Sequence, residues 1–272
     1  MRTHSFLVIN PRSGDDSPAP SELAAEAERR GIAAHVLEQG EDPAEVARAA
    51  GAERIGVAGG DGSLAAVATV AVESDSAFVC VPYGTRNHFA RDLGLDRDDP
   101  IRALDAFASP VERRIDTGRV NGRLFLNNVS LGVYAGLVHR REHHRRRGEA
   151  LARARALFAV VRHRHRLRAR VNGEDVKARA LFVGNNFYEL DLFTLGERAR
   201  LDEGQLFLWV ADGVLPTAWE RQTGAAFRIE LAGRTRAAVD GEPVVLEPPL
   251  EFATLPGGLR VLVPERTMQP ST

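Results

Sequence analysis

Three loops hold the residues of this chain best suited to chemistry: Asn10-Pro11-Arg12-Ser13-Gly14, Gly59-Gly60-Asp61-Gly62-Ser63 and Gly84-Thr85-Arg86-Asn87. Each is rich in Gly, Ser, Thr or Asn, which offer backbone amides and short polar groups to an anion. The central loop is the most informative. Its glycines permit positive φ and close backbone approach, so successive amides can form an anion-cradling nest ahead of a helix N-terminus. Asp61 would repel a bare phosphate. A carboxylate there makes sense if it holds a cation that bridges phosphates, and Mg2+ typically takes one or two carboxylates plus phosphate oxygens and waters. The loop is neither G-x-x-x-x-G-K-[ST] nor G-x-G-x-x-G, which argues against the Walker and dinucleotide-fold readings. The plain alternative is a tight strand-to-helix turn with Ser63 as N-cap.

The elements that must position these loops alternate strand and helix over the first ~110 residues. Phe6-Leu7-Val8-Ile9 reads as a buried strand, and the pattern from Ser21 to Arg30 as a helix closed by Gly31. Ala33 to Leu37 is a second strand, Pro43 to Ala50 a helix closed by Gly51, and Ile55 to Ala58 a third strand. A helix is expected from Leu64 to Val72 and a fourth strand from Phe78 to Val81. Alternation of this kind argues for a parallel sheet covered on both faces, whose strand carboxyl ends converge on one ligand crevice. The three loops sit at those ends.

From about Val111 the pattern changes to strands with tight turns. Asn121-Gly122, Asn172-Gly173 and Asp240-Gly241 each lie between β-prone runs and signal hairpins. The expectation is α/β plus β: a parallel α/β nucleotide-binding domain over residues 1–110 and an antiparallel β-sandwich domain over 111–264. The extreme C-terminus is expected to pack back on the first domain. The tail from Met268 to Thr272 reads as loose.

Composition adds exclusions. A hydrophobic fraction of 44% and a charged fraction of 27% are those of a folded globular protein, and a net charge of −1 makes the whole chain no general electrostatic binder. Lys177 is the only lysine, so arginine carries the basic charge. The single cysteine, Cys80, rules out an internal disulfide and sits in the apolar run Ala77 to Val81, where an inert buried thiol is expected. Met1-Arg2-Thr3-His4 leads straight into a strand without a signal-peptide pattern, and no apolar run approaches the ~20 residues of a membrane span. The expectation is a cytoplasmic protein whose dealings with membranes are peripheral.

The three loops, with Pro82-Tyr83-Gly84-Thr85-Arg86-Asn87-His88-Phe89-Ala90-Arg91, Asp116-Thr117-Gly118, Phe125-Leu126-Asn127-Asn128 and Asp240-Gly241-Glu242, give the chain a family likeness. From Phe6 to about Pro264 it resembles the diacylglycerol kinase catalytic-domain family, which includes bacterial diacylglycerol kinases and sphingosine and ceramide kinases. The resemblance implies ATP and Mg2+ as cofactors and a lipid hydroxyl as phosphate acceptor. It implies that Asn10, Ser13, Gly59, Gly60, Asp61, Gly62, Ser63 and Thr85 contact the nucleotide; Arg12, Asn87 and His88, in or beside the same loops, are expected to join them. Asp61 and Asp116 would hold the metal, and Glu242 would take the proton from the acceptor hydroxyl. On the residues alone, Asp240-Gly241 reads first as an ordinary type I′ turn, and Asp116 is equally a strand-end carboxylate.

Four positions depart from the family pattern. His88 stands where aspartate is usual, and Asp15 where a lysine often follows the first loop, with Arg12 the obvious substitute for its charge. Glu203, in Asp202-Glu203-Gly204, replaces an aspartate that helps hold a second, structural metal. Ser63 replaces a threonine and keeps the hydroxyl. Two rival functions stay open: an NAD-kinase-like kinase of a small metabolite, and a catalytically silent nucleotide- and lipid-binding module.

The segment His139 to about Arg168 concentrates arginine and histidine and is helix-compatible. One reading is a surface that docks on an anionic membrane, each nearby cation contributing ~1 kcal/mol. The others are a solvated helix face and, with few aromatics for stacking and no reader motif, a nucleic-acid surface. No nucleic-acid partner is expected, and the sequence is silent on oligomeric state.

Overall fold

The computed structural model describes residues 4–13, 18–84, 87–132, 166–188, 198–212 and 219–265. The chain divides into two compact units, Met1–Ile115 with Gly257–Thr272, and Asp116–Pro256.

The first unit alternates strand and helix as its apolar pattern dictates: β1 Ser5–Ile9, α1 Pro20–Arg29, β2 Ala33–Val36, α2 Pro43–Ala50, β3 Arg54–Gly59, α3 Asp61–Ser74, β4 Ala77–Pro82, then the short helices α4 His88–Asp92 and α5 Pro100–Ala103. β5, Pro110–Val120, begins in this unit and ends in the second. β1 pairs in parallel with β2 and β3, β3 with β4, and β4 with the last strand of the chain through Phe78↔Val261 and Val79↔Leu262. Every residue of β4 is buried, as expected of a parallel strand covered on both faces. Gly31 (φ +74°) follows α1 and Gly51 (φ +55°) caps α2, so both helices stop where a left-handed residue turns the chain.

One boundary differs from the sequence expectation. α3 starts at Asp61, not Leu64, with Gly60 as its N-cap. The Gly-Asp-Gly-Ser stretch is therefore mostly helix, because the chain turns as soon as β3 ends and Asp61, Gly62 and Ser63 are its first turn. Gly60, not Ser63, is the cap.

The second unit is antiparallel. Its strands are β6 Arg123–Phe125, β7 Asn128–Gly132, β8 Leu167–Val171, β9 Glu174–Ala178, β10 Ala180–Asn185, β11 Leu206–Ala211, β12 Glu220–Gly224, β13 Ala226–Leu231, β14 Thr235–Val239 and β15 Glu242–Leu246. β16, Leu250–Pro264, begins here and ends in the first unit. One sheet runs β12-β11-β10-β7-β14-β15. On the other sheet β8 pairs with β9 and β13, and β13 with the first half of β16. A single core takes Val129, Leu131, Val183 and Leu208 from the first sheet, and Val171, Ile229 and Phe252 from the second. The fold is thus α/β plus a β-sandwich. All three predicted turns are tight: Asn121 and Gly122, Asn172 and Gly173, and Asp240 and Gly241 have positive φ.

Residues 139–165 of the basic segment lie outside the described residues. Its far end is strand: in β8, Ala169 and Val171 are buried while Arg168 and Arg170 are exposed, the alternation of a half-buried strand. Among the described residues no helix is long and apolar enough to cross a membrane.

Candidate active site

In the first unit three of the predicted loops meet. Asn10, just past β1, donates from Nδ2 to Ser63 Oγ at 2.8 Å, which joins the first loop to the first turn of α3. The backbone of the first loop is pinned by Asn10 N–H to Ala58 O (2.8 Å), and Arg12 N–H closes a short turn on Asn10 Oδ1 (3.0 Å). Gly84 lies against Gly60 so closely that a Cβ there would meet Gly60 Cα at 2.8 Å. Only glycine lets these two backbones touch. Asn87, buried and in the left-handed region at φ 40°, accepts Gly84 N–H on Oδ1 at 2.8 Å and starts α4. Ser13 lies near Gly60, and His88 opens α4, half-buried. Thr85 lies outside the described residues.

This arrangement suits a phosphate. α3 is 14 residues long and is capped by a glycine, which has no side chain to offer the first amides of the helix. Asp61 sits at the first helical position, a carboxylate where the donor set otherwise favours anions. An acid among amide donors fits a bound cation as well as a phosphate. Its charge reaches Cys80, whose thiol is pushed far above its ordinary value by burial first and by Asp61 second. The thiol is inert at neutral pH.

The second unit holds Asp116, Glu203 and Glu242. Asp116, 2% exposed, accepts Gly204 N–H on Oδ2 at 2.6 Å, and its own N–H donates to Leu201 O at 2.7 Å. Glu203 Oε2 accepts Phe187 N–H at 2.7 Å, so the Asp202-Glu203-Gly204 turn is bound at both of its later residues. Glu242 is exposed at the start of β15, opposite Val239. Asp240, across the turn, is buried, and its carboxylate takes the N–H groups of Leu126 (2.8 Å), Asn127 (2.7 Å) and Asn128 (3.0 Å). Burial pushes the Asp240 carboxyl up, against the pull of those three donors and of Arg198. Among the described residues no cluster of three or more His, Cys, Asp or Glu is placed to enclose a metal by itself. A metal here would draw its remaining oxygens from phosphate and water.

Comparison with known proteins places this geometry. The diacylglycerol kinase catalytic domain matches residues 4–120, which include all three loops and Asp116. Over those residues the chain is similar to the diacylglycerol kinase catalytic-domain family. A diacylglycerol kinase of Bacillus subtilis is 38% identical over 84 residues, 30% of this chain and 28% of that protein. The likeness to the Pseudomonas aeruginosa protein named Probable lipid kinase YegS-like is longer, 28% identity over 289 aligned positions, 95% of this chain and 94% of that one. The crystal structure of a diacylglycerol kinase from Bacillus anthracis superposes with a TM-score of 0.70, covering 98% of each chain at 17% identity, which is a likeness of fold.

Within this diacylglycerol kinase fold, the motif Asp116-Thr117-Gly118 has a visible packing reason. Gly118 pairs with Phe125, and a Cβ at Gly118 would overlap the Phe125 ring. The ring packs edge-on to Phe252, 6.4 Å between centroids, in the sandwich core. The glycine that follows the two motif residues thus seats the aromatic of the next strand.

Sequence reasoning missed Arg198, Asn185 and Asn186. Arg198 is only 4% exposed, an uncommon place for an arginine. Its Nη1 donates to Leu126 O (2.7 Å) and Asn185 O (3.1 Å), its Nη2 to Asn127 Oδ1 (2.8 Å), and its guanidinium lies 5.1 Å from the Tyr188 ring centroid. The paired asparagines at the end of β10 were the available signal, since two amides at the end of a buried strand need partners.

Proposed function

We propose that this chain transfers the γ-phosphoryl group of ATP to the hydroxyl of a lipid, diacylglycerol-like or sphingoid. The observation that carries the reading is the junction of three loops at the N-terminus of α3, through Asn10–Ser63 and Gly60–Gly84, inside the segment that matches the diacylglycerol kinase catalytic domain. Full-length likeness to a lipid kinase YegS-like protein extends the support into the second unit.

The first unit takes the triphosphate. Amides of Asp61, Gly62 and Ser63 at the start of α3, with Asn10, Ser13, Thr85 and Asn87, supply its donors; Arg12 and His88 add donors at the edge. Asp61 and Asp116 would hold Mg2+, with Glu203 a further candidate for a second ion. The metal, when bound, offsets charge on the phosphate oxygens. Glu242, exposed to an acceptor, accepts the proton as the lipid oxygen bonds to the γ-phosphorus and the bond to the ADP oxygen breaks. The protein works at a membrane surface, reached through the cationic segment from His139.

Labelled ATP offered with diacylglycerol, sphingoid, ceramide and polyprenol acceptors, and with NAD, tests the reading. Label in a lipid is the expected result. Label in NAD alone, or ATP binding without transfer, overturns it.

A further inference from the structure

The Leu126–Asn128 turn of the second unit is held from both sides. Asp240 takes its three N–H groups. On the carbonyl side, Leu126 O accepts from Arg198 Nη1 and from Asn185 Nδ2 (3.1 Å), and the Asn127 side chain accepts from Arg198 Nη2. Asn185 Nδ2 also donates to Asp116 O at 2.8 Å. Arg198 therefore stands at one end of a segment, Arg198 to Gly204, whose other end holds Asp116 twice, through Leu201 O and Gly204 N–H. Asp240 leads in two residues to Glu242.

We propose that Arg198 is a positioning residue for phosphoryl transfer, bracing the scaffold from which Asp116 and Glu242 both project. This inference rests on the proposed lipid kinase reading. The chemistry suits arginine alone. Three acceptors in different directions need a planar fork with several donors, and the flat guanidinium also stacks on Tyr188. Lysine offers one compact ammonium with the same charge. Burying a cation is costly, and an apolar group of similar volume often stabilises a fold as well or better, so stability alone is a poor reason for an arginine here.

The test compares Arg198→Lys and Arg198→Met with the wild type, at a temperature where thermal melts show all of them folded. The expected result is a fall in kcat of about tenfold or more for both variants, larger than any change in the KM for ATP, because most donors assigned to the triphosphate belong to the first unit. Combining Arg198→Lys with Asp240→Asn should be no worse than the poorer single variant, since both act through one turn. Amide exchange at Asn127 and Asn128 should quicken in Arg198→Lys. Full-speed kcat in folded Arg198 variants, or additive losses in the double variant, would overturn the inference while leaving the kinase reading intact. A wild-type protein that phosphorylates no lipid would remove both.

Discussion

Asn10 and Ser63 share a hydrogen bond of 2.8 Å that spans 53 residues of sequence and joins the loop after β1 to the first turn of α3. Either partner alone would leave the other to water. Asn10→Ala and Ser63→Ala should each weaken ATP binding several-fold, in line with about 1 kcal/mol for a hydrogen bond. Equilibrium titration with a fluorescent ATP analogue measures it, and melting temperatures should move by only a few degrees.

Gly84 should tolerate no side chain. A Cβ there meets Gly60 Cα at 2.8 Å and Asn87 Oδ1 at 2.9 Å, and the Gly60 contact is backbone that cannot swing away. Gly84→Ala should therefore displace the α3 N-terminus and lower kcat/KM for ATP by at least about tenfold, a loss of ~1.4 kcal/mol. Steady-state kinetics on folded protein checks this, and an unchanged kcat/KM would refute it.

Asp240→Asn tests the buried amide cage. The substitution is isosteric, but its NH2 would face N–H groups that now meet a carboxylate oxygen. A buried donor facing donors, beside Arg198 deprived of its countercharge, should cost about 2–4 kcal/mol in urea unfolding. A loss under about 0.5 kcal/mol would show that the cage contributes little.

Asp61→Ala and Glu242→Gln should each abolish transfer to lipid while leaving the urea midpoint close to that of the wild type. The first removes the carboxylate proposed to hold Mg2+, and the second the proposed base. Chelation of divalent cations should reproduce the first effect reversibly. Near-normal turnover in Glu242→Gln would mean that another group takes the proton.

On anionic vesicles the rate should fall steeply with added salt, because attraction between the arginine-rich segment and the surface is screened within ~10 Å at 0.1 M. A salt-insensitive rate would argue against docking through that segment.

Much of this architecture was legible because its rules are local. Gly31 and Gly51 follow amphipathic runs and adopt the left-handed conformation that ends a helix. Asn121-Gly122, Asn172-Gly173 and Asp240-Gly241 demand positive φ at two successive residues, and few other pairs supply it. The start of α3 was less legible. Gly60, Asp61 and Gly62 are poor helix formers, and the helix begins there because β3 ends at Gly59 and the chain must turn at once.

Local rules in the sequence settle which elements form, since periodicity, caps and turn residues act over a few positions. Tertiary structure decided what the polar side chains do. Asp240 is both a turn residue and the acceptor for amides more than 110 positions away, and Arg198 braces a turn about 70 positions before it. The Asn10–Ser63 bond likewise exists only once β1 and β3 lie side by side. Buried polar groups must find partners wherever the fold brings them, and no short-range pattern records where that is.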